Sequence, residues 1–141
     1  MAKKRILHIG IDGATFDLMR PWMEEGHLPN LNNIARNGTS GTVLPPFPPT
    51  SASSWPSLMT GMNPGKHGLF GFTRVDPHEG YGIKVNSGAV RNSQTAWQWL
   101  SEQGRRSIVI NMPMTYPPEP IDGLVVTGID TPGLESQFTY P

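Results

Sequence analysis

Apolar residues in this chain come in short clusters separated by connections rich in proline and glycine, and each cluster carries its own period. Arg5 to Ile11 is almost continuously apolar and β-branched, which predicts a strand covered on both faces inside a parallel sheet. Thr15 to Glu25 has Phe16, Met19 and Met23 at helical spacing and Gly26 as a stop, with Pro21 expected to bend or interrupt the helix. Pro29 to Asn37 reads as a second helix, with Leu31, Ile34 and Ala35 inward and Gly38 after its end. Gly41 to Leu44 predicts a brief strand leading into the prolines that follow. Phe70 to Val75 and Tyr81 to Val85 alternate as strands do, joined by the turn from Asp76 to Gly80, so residues 70–90 form a strand excursion. Ser93 to Gln103 predicts a serine-capped helix with Trp97 and Leu100 inward and Gly104 as its stop. Ser107 to Asn111 and Leu124 to Ile129 are two more buried strands, connected through the proline-rich stretch Pro113 to Pro120. Beyond Thr131 the pattern fades, with no closing helix or strand. The alternation of helices and strands implies an α/β fold, a mostly parallel sheet flanked by helices.

The stretch from Pro45 to Gly71 breaks that rhythm. Four prolines make the approach stiff and unable to join a central strand, and a run of hydroxyls, Thr50, Ser51, Ser53 and Ser54, precedes Trp55, Leu58 and Met59 at helical spacing. Pro56 is tolerated most easily near the start of a helix, which favours Ser53 or Ser54 as the cap and leaves Ser51 just outside it. A hydroxyl in front of a helix N-terminus sits beside N–H groups and a partial positive charge, a natural seat for a phosphate or sulfate ester; the same residues also make an ordinary cap. Gly61 ends the helix, and Asn63-Pro64-Gly65 reads as a tight turn with glycine at positive φ.

Composition narrows the partners. Eleven basic residues balance eleven acidic ones, so the chain has no field with which to gather nucleic acid or acidic membranes. Lys3-Lys4-Arg5 is a short run at the entry to the first strand. There is no cysteine, hence neither a disulfide framework nor a thiolate metal site. No apolar run approaches the length of a membrane span, and the run ending at Ile11 is too short and too interrupted for a secretory signal, so a cytoplasmic protein is expected.

Two carboxylates stand at predicted strand ends. Asp12-Gly13 closes the first strand, where open α/β sheets bind ligands, although a helix cap is an equal reading. Asp130 repeats the arrangement after the last strand and reads as a cap. His27, His78 and Glu79 read as solvated polar residues, and His67, close to the hydroxyl run but without a paired ligand, reads as a structural hydrogen-bonder.

The string from Ser51 to Gly68, with Trp55, Thr60-Gly61, Asn63-Pro64-Gly65 and His67-Gly68, resembles the nucleophile segment of the type I phosphodiesterase/nucleotide pyrophosphatase family of the alkaline phosphatase superfamily. The Leu28-Pro29-Asn30-Leu31 opening and the Asn111 to Pro118 segment are similar as well. In that family the nucleophilic Ser or Thr stands nine residues before the threonine of the Thr-Gly pair, which here points to Ser51 and away from Thr50. The resemblance implies an alkaline-phosphatase-like fold, of which residues 1–141 would be the N-terminal part, truncated before the rest of the catalytic domain. It implies a hydrolase of small-molecule phosphate esters working through a covalent phosphoserine. It also implies two divalent metal ions, typically zinc, with Asp12 and Ser51 as ligands and the remaining Asp and His ligands downstream of Pro141. The family's phosphate-holding asparagine, about twenty residues after the nucleophile, is not found in the Phe70-Gly71-Phe72 region. That departure keeps open a relative acting on sulfate or phosphonate esters or transferring phosphate, and two aromatics there could line an organic group. A non-catalytic α/β remnant used for binding is the third reading.

Overall fold

The computed structural model describes residues 5–141, so Lys3 and Lys4 of the basic run lie outside the described residues. The chain divides into two compact units, Met1–Leu44 and Pro45–Pro141, each with its own internal contacts.

In the first unit, residues 5–11 do not form the expected strand. They run without regular structure, with Ile6, Leu7, Ile9 and Ile11 all exposed. A β-branched run has strand propensity only in the sense that it fits a pleated surface, and no neighbouring strand pairs with it among the described residues. Gly41 to Leu44 likewise forms no strand, for the same lack of a pairing partner. Helix α1 (Phe16–Glu24) continues through Pro21, which costs one N–H but does not interrupt it. Its inward face is the expected one, with Met23 buried and Phe16 and Met19 half-buried. Helix α2 (Pro29–Asn37) starts on proline at its first position. Ile34, expected inward, is exposed, while Leu31 and Ala35 are half-buried. The two helices are tied where Asn32 Nδ2 donates to the Met23 carbonyl at 3.1 Å.

The second unit holds the larger core. Helix α3 (Ser51–Thr60) and the four-residue α4 (Pro64–His67) are followed by a hairpin of β1 (Thr73–Asp76) and β2 (Gly82–Val85), paired antiparallel with Val75 opposite Ile83. Helix α5 (Ala96–Glu102) leads into a three-stranded sheet of β3 (Ser107–Met112), β4 (Gly123–Thr127) and β5 (Thr139–Tyr140), in that order. Strands β3 and β4 are parallel, as the sequence suggests, and β4 and β5 antiparallel. The fold is therefore mixed α/β with small sheets in which antiparallel pairs outnumber the parallel one, rather than a mostly parallel sheet. The strand that would have extended the parallel set, residues 5–11, is unpaired. Strand β5 was not expected, because two residues carry no period; what fixes it is pairing, with Tyr140 opposite Val125 and the Phe138 carbonyl accepting from Thr127 N–H at 2.9 Å.

Strand alternation sends Val109 and Val125 inward to meet Ala52 and Met59 of α3, Trp97 of α5, and Leu69, Met114 and Ile121 from the connections. Leu69 and Met114 are wholly buried, and each such side chain contributes about 1.5–3 kcal/mol by leaving water. The start of β4 demands glycine: Gly123 has φ of 151°, and a Cβ there would stand 1.7 Å from the Ser107 carbonyl oxygen. The cap of α5 is Thr95, not Ser93, because Thr95 and Gln98 complete a reciprocal capping box.

A polar knot lies beside the core. The Arg91 side chain is 3% exposed; it pairs with Glu119 and donates to the carbonyls of Ser93 (3.0 Å) and Met114 (3.2 Å). Glu119 Oε2 also accepts from Trp97 Nε1 at 2.8 Å and from Thr95 Oγ1 at 3.2 Å. Asp130 caps no helix. It accepts backbone N–H groups from Tyr116 (2.8 Å), Thr115 (3.1 Å) and Gly88 (3.3 Å), and so pins two connections to the end of β4.

Candidate active site

Ser51 is the first residue of α3, half-buried, and Thr50 is its N-cap with extended φ of −119° and ψ of 158°. This corrects the expectation of a cap at Ser53 or Ser54 with Ser51 outside. Pro56 lies in the second turn, where it leaves the Ala52 carbonyl without an intrahelical donor but does not set the helix start. Thr50 takes the cap because Ser53, three residues on, faces it: their hydroxyls are 3.0 Å apart, and the Thr50 carbonyl accepts from Ser54 N–H at 2.9 Å. Thr50 N–H donates to the Pro48 carbonyl at 2.9 Å, with Ser53 Oγ farther off at 3.4 Å. The stiff approach and the first turn are thus joined around Ser51.

The underside of α3 fixes where that turn sits. Ala52, Ser53, Pro56 and Met59 are buried, Ala52 and Met59 in the hydrophobic core. At the far end Gly61 closes the helix in the left-handed conformation. The turn expected at Asn63-Pro64-Gly65 is instead the start of α4, with Asn63 Oδ1 accepting from Lys66 N–H at 3.2 Å and Gly65 helical; the left-handed glycine is Gly68, at the end of α4. Proline at the first helical position and asparagine before it are a helix start as readily as a turn.

His67 is wholly buried and bridges α4 to α3. Its Nε2 lies 3.0 Å from Ser57 Oγ, and its Nδ1 accepts from Leu69 N–H at 3.1 Å. A backbone N–H can only donate, so Nδ1 carries no proton and Nε2 is the protonated nitrogen of a neutral ring. The Ser57 hydroxyl in turn donates to the Ser53 carbonyl at 2.9 Å. Burial, and then the nearby Arg91 charge, lower the His67 pKa below the usual 6.5, against a smaller opposing contribution from the Ser53 backbone. His67 is the structural hydrogen-bonder that its isolation in sequence suggested. The sequence did not reveal its partners, since Ser57 looks like any exposed helix serine.

Asp12 stands in a turn with Gly13, whose φ of 70° allows the sharp change of direction. Asp12 is exposed and belongs to the first unit, Ser51 to the second. Among the described residues no three His, Cys, Asp or Glu side chains are grouped as a metal site. One carboxylate and one hydroxyl are too few donors for two metals, each of which takes about four ligands. Phe70 and Phe72 are 54% and 46% exposed, outside the core. An open apolar groove of ≈ 630 Å³ runs between Leu58, Met59 and Thr60 of α3 and Ala96, Trp99 and Leu100 of α5. It lies at the C-terminal end of α3, about 13 Å along the helix from Ser51 at 1.5 Å per residue. No helix among the described residues is long and apolar enough to cross a membrane.

The family profile described as type I phosphodiesterase / nucleotide pyrophosphatase matches residues 6–140. The chain belongs to this family. Comparison with curated proteins returns no match, and comparison with solved structures returns none. Membership covers both units and includes Asp12, Ser51 and His67 within its span. The family implies an alkaline-phosphatase-like fold and suggests a hydrolase of the phosphodiesterase/pyrophosphatase type.

Proposed function

We propose that this chain serves the hydrolysis of small-molecule phosphate esters, with Ser51 as the nucleophile and Asp12 as a metal-binding carboxylate. The observation that carries the reading is the coincidence of two facts about Ser51. It stands nine residues before Thr60-Gly61 within a chain that belongs to the phosphodiesterase family, and it is the first residue of a helix whose underside is locked into the core. Ser51 stands at the N-terminal end of α3, where the helix dipole favours an anion. In the proposed reaction the Ser51 oxygen gives up its proton and attacks phosphorus as the leaving alcohol departs opposite and takes up a proton; water then cleaves the serine–phosphate ester, restoring the serine and releasing phosphate from a monoester or a phosphomonoester from a diester. Divalent metals, zinc by the family resemblance, would activate the hydroxyl when bound, and Asp12 and Ser51 are the ligands this chain offers them. Since that pair does not complete a two-metal site, what this chain's own groups contribute is the nucleophile and its setting.

The proposal makes Ser51 and Thr50 separable. In a form of the protein that carries the complete metal set, with an aryl phosphodiester as substrate, Ser51→Ala abolishes turnover. Thr50→Ala retains it and loses only a helix cap, about 1 kcal/mol of stability. Reversed effects would move the nucleophile by one residue, and unchanged turnover in Ser51→Ala would remove it from this helix altogether.

A further inference from the structure

We propose that His67 is a proton-operated latch: neutral, it ties α4 and the Leu69 amide to α3, and protonation releases the tie and loosens the helix that begins at Ser51. The geometry is directional. Nδ1 accepts from Leu69 N–H and Nε2 donates toward Ser57 Oγ, so both ring nitrogens are engaged in one tautomer. A proton added to Nδ1 would set two donors, Nδ1–H and the Leu69 N–H, face to face at a wholly buried position. The bond to Leu69 then has to break, and Leu69 is itself fully buried in the core beside Ala52 and Met59 of α3. The link to the nucleophile is short: His67 to Ser57 Oγ, Ser57 Oγ to the Ser53 carbonyl, and Ser53 to the capping residue Thr50.

The groups facing the ring set the sign. Helix α3 presents the Ser57 hydroxyl and the Ser53 carbonyl, neither of which titrates. The stretch after β2 presents Arg91, a charge that opposes protonation, while its Asn92 N–H donates to the His67 carbonyl at 3.0 Å. Arg91 is itself paired with the carboxylate of Glu119. A histidine more easily protonated in the unfolded chain than in the fold stabilises the fold fully above its unfolded pKa near 6.5, and loses that contribution as pH falls toward the lower folded value. The latch is therefore closed at neutral pH and opens on acidification. Its bearing on catalysis rests on Ser51 being the nucleophile; the latch itself does not.

The test is an NMR titration of the full chain, following the His67 ring nitrogens and the exchange protection of the Leu69 amide from about pH 7.5 to 5. The latch predicts that His67 keeps its neutral Nε2–H tautomer below pH 6.5. It also predicts that Leu69 protection, corrected for intrinsic exchange, falls by up to about tenfold per pH unit below 6.5. His67→Gln removes the titrating group, and His67→Asn keeps an acceptor for Leu69 N–H, so in whichever folds the protection becomes independent of pH. Wild-type protection that stays flat while His67 titrates would overturn the latch, and so would His67 titrating at or above the ordinary histidine value of 6.5. Flat protection beside inactive Ser51→Ala sinks the latch and leaves the hydrolase reading intact. Protection that falls with acid beside fully active Ser51→Ala keeps the latch and sinks the nucleophile assignment.

Discussion

Glu119 is the residue whose loss the second unit should tolerate least. Its carboxylate neutralises Arg91, whose side chain is 3% exposed, and accepts from the indole N–H of Trp97 and the hydroxyl of Thr95. Glu119→Ala leaves a guanidinium charge buried without its counter-ion, which costs about 3–5 kcal/mol, and strands the Trp97 N–H at about 1–3 kcal/mol. The two penalties share one cavity that water can enter, so they do not add in full, and a loss of about 4 kcal/mol is expected. Against a total of about 5–15 kcal/mol for a domain, that is a large part of its stability. Urea unfolding followed by tryptophan fluorescence measures it directly. The decisive control is the pair Glu119→Leu with Arg91→Met, which removes both charges together and should recover at least half of the loss, because apolar replacement of a buried ion pair is often neutral. A single-mutant cost below about 1 kcal/mol, or a double mutant no more stable than Glu119→Ala, would refute the claim that the buried charge drives the effect.

Two further substitutions test the scaffold. Gly123→Ala puts a methyl group 1.7 Å from the Ser107 carbonyl oxygen and should separate β3 from β4, seen as loss of amide protection at Val109 and Val125. Asp130→Ala removes the acceptor of three backbone N–H groups and should cost at least about 2 kcal/mol in urea unfolding, with Thr115 and Tyr116 amides exchanging first.

Local signals were strong wherever one turn of chain decides the outcome. Helix α2 has the bounds its sequence predicts because proline at the start and glycine after the end act within the helix itself. The β1–β2 hairpin was equally legible, since alternation on both sides of a five-residue turn is a local matter. The cap of α3 was misplaced for an instructive reason: proline was read as a boundary, whereas the boundary is fixed by the facing hydroxyls of Thr50 and Ser53. What the sequence hides is pairing over distance. Residues 5–11 have the composition of a buried strand without a neighbour, β5 has almost no composition and a firm neighbour, and the Arg91–Glu119 pair joins two positions that look like surface charges in one dimension. Of the candidate site, Ser51 is proposed from the family resemblance through its spacing to Thr60-Gly61, while the bonds that hold its helix in place can be read only in three dimensions.

The parallel pairing of β3 and β4 has a bearing on the order in which the second unit assembles. Parallel neighbours usually wait for a long crossover to close, but here Ser107 meets Gly123 and Val125 meets Tyr140, loops of fifteen or sixteen residues that need little chain entropy to shut. Helix α3 must instead find its seat from residue 52 against residues 109 and 125. The three strands can therefore collect early as a local nucleus, with the serine-bearing helix docking late, so that mutations in β4 slow folding while mutations under α3 chiefly hasten unfolding.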